Sequence, residues 1–218
     1  MYHQTSDASS APLNVPPESF ARQMEWLDHE SFKFLSLDEV LSRQGLVSLW
    51  EKAVALTFDD GYRDNFENAF PRLTEKGRPA ALFIVVDWVE KKGFMNWDEI
   101  RDLSKRGITV GSHSVSHRWL PRIEDPQELR REIFDSKKKI EDEIGKEVKH
   151  FSYPVGGVDE RVAELVQGAG YGAGWIAGAR PTVKIRNPSY LLRRIKVTPS
   201  DSRTYHFAAK AYGLKNLF

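Results

Sequence analysis

Two short stretches carry most of the chemistry legible in this chain: Thr57-Phe58-Asp59-Asp60-Gly61-Tyr62 and His113-Ser114-Val115-Ser116-His117. Together they offer two carboxylates and two imidazoles, enough for one proton acceptor and three ligands to a divalent metal. Asp59 and Asp60 follow the apolar run Ala53–Thr57. Successive side chains of a strand point opposite ways, so only a turn directly after it lets both reach one cleft. There, one carboxylate can bind metal while its neighbour handles protons. His113 and His117 stand four apart, a spacing that puts two imidazoles on one side of a helical turn. By itself that spacing fits a surface pair equally well, and Asp-Asp-Gly is ordinary turn chemistry. Gly111, Ser112, Ser114 and Ser116 leave room for a cleft around the histidines, and a carboxylate after a buried strand is costly unless a cation stands beside it. Read jointly, the two stretches point to a metal-dependent hydrolase.

The elements that must position these groups alternate. Short apolar strands are expected at Ala53–Thr57, Ala80–Val86, Ile108–Ser112 and Val148–Ser152, with weaker ones at Ala173–Ala177 and Leu191–Val197. Helices are expected from Pro17 onward, over Asp38–Leu46, after Asn96 with Glu99 as capping partner, from Asp125-Pro126 to Gly145, and over Asp159–Gln167. Residues Thr5 to Pro17, rich in Ser and Pro, read as an irregular surface leader. Parallel β/α units follow from such alternation, with the polar motifs after strand ends, where α/β barrels and open sheets bind ligands.

With 218 residues, 40% of them hydrophobic, the chain suits a single domain over 1–218. A formal charge of +1 gives no field for nucleic acid or an anionic membrane. Cysteine is absent, which removes disulfides, thiolate nucleophiles and Cys-type zinc sites and leaves His and carboxylate as metal ligands. No run approaches the ~20 apolar residues of a membrane helix, and the amino end has no signal-peptide pattern. As written, the expectation is a cytoplasmic protein; a start lying upstream would make it extracytoplasmic.

The two stretches resemble the first and second motifs, T-F-D-D-G and H-[ST]-x-x-H, of the polysaccharide deacetylases with a NodB homology domain, the fourth family of carbohydrate esterases. Gly77-Arg78-Pro79-Ala80-Ala81-Leu82-Phe83 is similar to the family's G-x-P-A-T-x-F strand, and Phe151-Ser152-Tyr153-Pro154-Val155-Gly156 to its third motif. The F-x-Y-P-x-G pattern, a late R-I-x-V and Tyr2-His3 look more like the branch acting on poly-N-acetylglucosamine. The resemblance implies a distorted (β/α) barrel of the NodB type, seven-stranded or with an incomplete first strand. It implies removal of an N-acetyl group from an N-acetylhexosamine in a polysaccharide, oligosaccharide or glycolipid. Asp59 would then be the general base, and Asp60, His113 and His117 would hold the metal, zinc first, with cobalt or nickel as alternatives. The backbone N–H of Val155 would face the developing oxyanion, and Tyr62, Tyr153, Pro154, Gly156 and His3 would line the carbohydrate site.

Two departures stand out. Ser152 occupies a position where the third motif carries the arginine that orients the base, which leaves Arg193 or Arg194 as candidate partner of Asp59. The stretch Leu192–Val197 lacks the fifth motif's histidine. Among the aromatic residues, Trp119 and Trp175 are expected at the cleft because each follows a motif or a strand end, whereas Trp97 reads as core. Two alternatives share the same residues: an O-acetyl esterase or small-amide deacylase, and a glycan-binding protein of weakened turnover.

Overall fold

The computed structural model describes residues 1–7, 11–43, 52–178 and 185–213. Two short strands, β1 (Lys33–Phe34) and β2 (Ala53–Val54), pair in parallel as a separate ribbon. The main sheet holds six strands: β3 (Leu56–Phe58), β4 (Ala80–Ile84), β5 (Thr109–Ser112), β6 (His150–Ser152), β7 (Ala173–Ala177) and β8 (Leu192–Arg194). They lie in sequence order and every pair is parallel. All six carboxyl ends therefore open on one rim.

The residues at the amino end join the sheet through a bridge. Tyr2 pairs in parallel with Phe58, its N–H donating to Thr57 C=O at 2.8 Å and its C=O accepting from Asp59 N–H at 3.0 Å. On the other side Val197 N–H donates to Met1 C=O at 2.9 Å. Residues 1 and 2 thus span the interval between β8 and β3, so the curled sheet is a distorted α/β barrel, as expected.

Strand alternation divides the packing. In β4, Ala80, Leu82 and Ile84 face the helices and join the main core, while Ala81 and Phe83 face inward with Ala173, Trp175 and Leu37. The Phe83 ring fills the barrel because β5 carries Gly111 beside it. A Cβ there would lie 2.5 Å from the ring and 2.9 Å from His150 C=O.

Helices α1 (Pro17–His29), α2 (Leu37–Ser42), α3 (Phe70–Thr74), α4 (Trp97–Lys105), α5 (Pro126–Ile144), α6 (Glu160–Gly168) and α7 (Thr204–Ala211) connect and cover the strands. The sequence signals act as written: Asn96 and Glu99 form a reciprocal capping box, Asp125 caps α5, and Gly145 ends it in the left-handed conformation at φ 66°. The part of the Asp38–Leu46 expectation beyond residue 43 lies outside the described residues. Residues 5–7 and 11–17 correct the reading of a surface leader, whose positions 8–10 lie outside the described residues. Thr5, Asn14 and Val15 are buried, and Thr5 bonds through N–H and hydroxyl to Asp64 and Asn65. Irregular backbone can be buried where side chains supply its partners. Among the described residues no helix is long and apolar enough to cross a membrane.

Candidate active site

The turn after β3 brings both aspartates to one place. Asp59 leaves the strand facing the barrel interior, and Asp60 takes a left-handed backbone, φ 76°, followed by Gly61 at φ 82°. That reversal defeats strict alternation. Six non-glycine residues among those described have positive φ, and Asp60, Ser114, His117 and Val155 are four of them. Each such conformation costs about 1–3 kcal/mol and persists only where surrounding contacts hold it, which is why they gather at sites.

Asp60, His113 and His117 converge so that one ligand atom of each lies within 4.8 Å of the others. His113 Nδ1 lies 2.7 Å from Ser152 C=O, an acceptor only, so Nδ1 carries the proton and Nε2 presents its lone pair to Asp60 Oδ1 at 3.6 Å. His117 Nε2 is 3.5 Å from the same oxygen. Burial pushes His113 down to about 3 and lowers His117 as well, so at neutral pH these are neutral imidazoles and the contacts are not ion pairs. Burial, then repulsion from Asp59, pushes the Asp60 carboxyl up to about 7. Its Oδ1 is buried with no hydrogen-bond partner. Two neutral nitrogen donors and a carboxylate oxygen without a donor are what a divalent cation completes; the residues fit such a metal.

Asp59 is held differently. Arg194 grips it in a bidentate pair, Nη1 to Oδ1 at 2.6 Å and Nη2 to Oδ2 at 2.8 Å, both residues being buried. The same guanidinium donates to Thr57 Oγ1 at 3.1 Å and to Ser152 Oγ at 2.6 Å. Burial alone pushes the Asp59 carboxyl up; the Arg194 charge, with a smaller contribution from His113, overturns this and holds it well below the usual carboxylate range. Two adjacent carboxyls are thus driven apart by their neighbours.

These groups line a cavity of about 200 Å³ together with His3, Leu13, Tyr153, Val155, Ala177 and Lys196. His3 is buried, its Nδ1 has no hydrogen-bond partner, and burial pushes its ring down to about 4. Asn65 fixes its backbone, donating to His3 C=O at 2.6 Å. Tyr153 donates from its hydroxyl to Tyr190 C=O at 3.0 Å, so only its ring faces the cavity wall. Pro154 opens the short turn Pro154–Gly156, in which Val155 is 74% exposed at φ 56°. Gly156 adopts φ 71° with room for no more than hydrogen, since a Cβ would come within 3.0 Å of Ala177 C=O. Tyr62 stands at the rim beside Asp60 and stacks on Phe94, ring centroids 4.9 Å apart.

Two expectations are corrected. Arg193 is not the partner of Asp59: in β8 it points outward, exposed, and its guanidinium donates to Gly178 C=O at 3.4 Å. Register explains the choice, since Arg194 lies opposite Ala177 of the cavity wall, whereas Arg193 lies opposite outward-facing Ile176. Trp175 does not reach the cavity. It is buried in the lower barrel layer, its indole N–H donating to His150 Nδ1 at 3.3 Å at the start of β6. Trp119, 44% exposed, lies over Gly157 at the Pro154–Gly157 turn, with the Arg122 guanidinium 4.7 Å from its ring. Sequence reading missed Leu13 and Ala177, which belong to no motif, and Lys196, the unspecified position of the late R-I-x-V pattern.

The fold and this site are those expected of a polysaccharide deacetylase, a family of hydrolytic enzymes. The polysaccharide deacetylase family profile matches residues 47–174, and the chain belongs to that family. YxkH of Bacillus subtilis (strain 168), named as a polysaccharide deacetylase of unproven standing, is 31% identical over 206 residues, covering 93% of this chain and 71% of its own. A poly-beta-1,6-N-acetyl-D-glucosamine N-deacetylase of Staphylococcus aureus (strain MRSA252) is 24% identical over 206 residues, covering 88% and 71%. The structure of the Streptococcus pyogenes deacetylase PplD in complex with acetate superposes with a TM-score of 0.80 at 24% identity, over 91% of each chain.

Proposed function

We propose that this protein hydrolyses the N-acetyl amide of an N-acetylhexosamine within a polysaccharide, oligosaccharide or glycolipid, using one divalent metal and releasing acetate. One observation carries the reading: a neutral-imidazole and carboxylate donor set shares a cavity of about 200 Å³ with a second, separately charge-paired carboxylate. The poly-N-acetylglucosamine relative supports the choice of an amide-bearing sugar.

A divalent ion held by Asp60, His113 and His117 would polarise the acetyl carbonyl and make a water molecule easier to deprotonate. Asp59, ionised at any working pH and fixed in orientation by Arg194, takes the proton from that water as its oxygen bonds to the carbonyl carbon. The N–H of Val155 is assigned to the carbonyl oxygen as negative charge develops there. The C–N bond then breaks, and the proton that Asp59 accepted passes to the departing nitrogen. His3 and Lys196 face the same cavity and are the side chains placed to bind the sugar or relay that proton.

The test is acetate release from a panel of N-acetylated and O-acetylated sugars, with metal-stripped protein and again after zinc, cobalt or nickel is restored. Metal-dependent appearance of free amine on an N-acetylhexosamine is expected. Free hydroxyl as the only product would select an O-acetyl esterase, and sugar binding without acetate release would select a glycan-binding role.

A further inference from the structure

The loop that carries both imidazoles is not self-supporting. Ser114 and His117 sit at φ 66° and 63°, conformations that need external restraint. On one side the loop's carbonyls are taken by the chain after β4: Val86 N–H donates to Ser114 C=O at 3.2 Å and Asp87 N–H to Val115 C=O at 2.9 Å. On the other side, three donors of the loop converge on a single buried carboxylate of α5, that of Glu132. Val115 N–H reaches Oε2 at 3.0 Å, Ser116 N–H reaches the same oxygen at 2.9 Å, and Ser116 Oγ donates to Oε1.

We infer that Glu132 is a positioning residue that sets the metal affinity of the Asp60, His113 and His117 site. The inference rests on the metal reading proposed above. The reason for a carboxylate, and not merely any acceptor, lies in the donor count. Consecutive backbone N–H groups aimed at one point form a small anion-binding concavity, and a hydroxyl occupies the second oxygen. Glutamine would offer one acceptor and present an NH2 group to a donor. Val115 and Ser116 lie between the two ligands, so releasing them frees the spacing and tilt of both rings. In metal proteins, partners of this kind change metal affinity by about 10–100-fold. Periodicity did not single out Glu132, because among the buried residues Leu129, Ile133 and Ile140 of α5 it reads as a polar interruption.

The experiment titrates Zn2+ into the full-length protein against a chromophoric chelator, for wild type, Glu132→Gln, Ser116→Ala and Glu128→Gln. Glu128 is exposed on the same helix and pairs with Arg118, so its variant makes the same charge change without touching the loop N–H groups. Expected is a dissociation constant for E132Q weaker by about 10–100-fold, a smaller weakening for S116A, and none for E128Q. Circular dichroism and the thermal midpoint of each metal-free protein report folding separately. Should E132Q fail to fold, S116A alone decides, since it removes one of the three donors. Unchanged zinc affinity in a folded E132Q, or in S116A in its place, overturns the inference, as does equal weakening by E128Q. Absence of zinc binding in the wild type would instead refute the metal reading, and absence of acetate release with zinc bound would refute only the deacetylase reading.

Discussion

Replacing Arg194 by Met tests how the site keeps its base ionised. The substitution preserves much of the side chain's length and its packing over Phe83, where the guanidinium lies 5.0 Å from the ring centroid, while removing both hydrogen bonds to Asp59. Asp59 is 1% exposed, so its carboxylate is left buried without a counter-charge. Removing one partner of a buried pair costs about 3–5 kcal/mol, a large share of a total stability near 5–15 kcal/mol. With a urea slope of about 2–3 kcal/mol per molar, the midpoint of the metal-free protein at pH 7 should fall by roughly 1–2 M. The pH dependence follows from sign. In wild type the folded Asp59 carboxyl titrates below its unfolded value of about 3.9, so its stabilisation is present above that pH and is lost as pH falls through the folded value. In R194M burial is unopposed and the folded carboxyl titrates above 3.9. The deficit is therefore greatest at neutral pH and shrinks on acidification, as the native state takes up the proton. Adding Asp59→Asn should remove most of the deficit, with a coupling of about 2–3 kcal/mol in the double-mutant cycle. Equal stability of R194M and wild type at pH 7, or a deficit that does not change between pH 7 and pH 4, would refute the reasoning.

Because the Asp60 carboxyl is pushed up to about 7, the metal-free protein holds a proton that the unfolded chain releases near 4. Its stability should thus decline as pH rises from about 4 to 7, and zinc binding should expel that proton, with affinity rising from pH 6 to 8; calorimetry in buffers of different ionisation enthalpy measures the release. Asp59→Asn should lower turnover by about 10²–10⁴-fold while zinc stays bound, and metal loss from this variant would contradict the division of roles between the two aspartates. His113→Ala should lose stoichiometric metal by elemental analysis, and retained metal would take it out of the donor set. Gly111→Ala forces a methyl group to within 2.5 Å of the Phe83 ring and should cost about 1–3 kcal/mol in thermal denaturation; a neutral result would mean the barrel interior is looser than described.

The alternation of strands and helices along the chain and the groups at the strand ends could be read from the chain because both depend on local signals. Apolar runs such as Ala80–Ile84 mark buried strands, the caps at Asn96 and Asp125 mark helix starts, and Asp59-Asp60 and His113 follow strand ends directly. What the chain could not specify was which side of the barrel a residue faces once two options are adjacent. Arg193 and Arg194 are equivalent in composition, and register against β7 alone turns Arg194 to the cavity and Arg193 to solvent. Trp175 looked like a strand-end residue but stands in the barrel interior because its neighbours Ile176 and Ala177 continue the strand beyond it. Leu13, Lys196 and Glu132 belong to segments 50 or more residues from one motif or the other, or to a helix face, and reach the site only through packing. Residue type and local periodicity settle which chemistry is available and on which elements it rides; long-range pairing settles which of those groups share one low-dielectric space, because that depends on register and curvature between segments far apart in sequence.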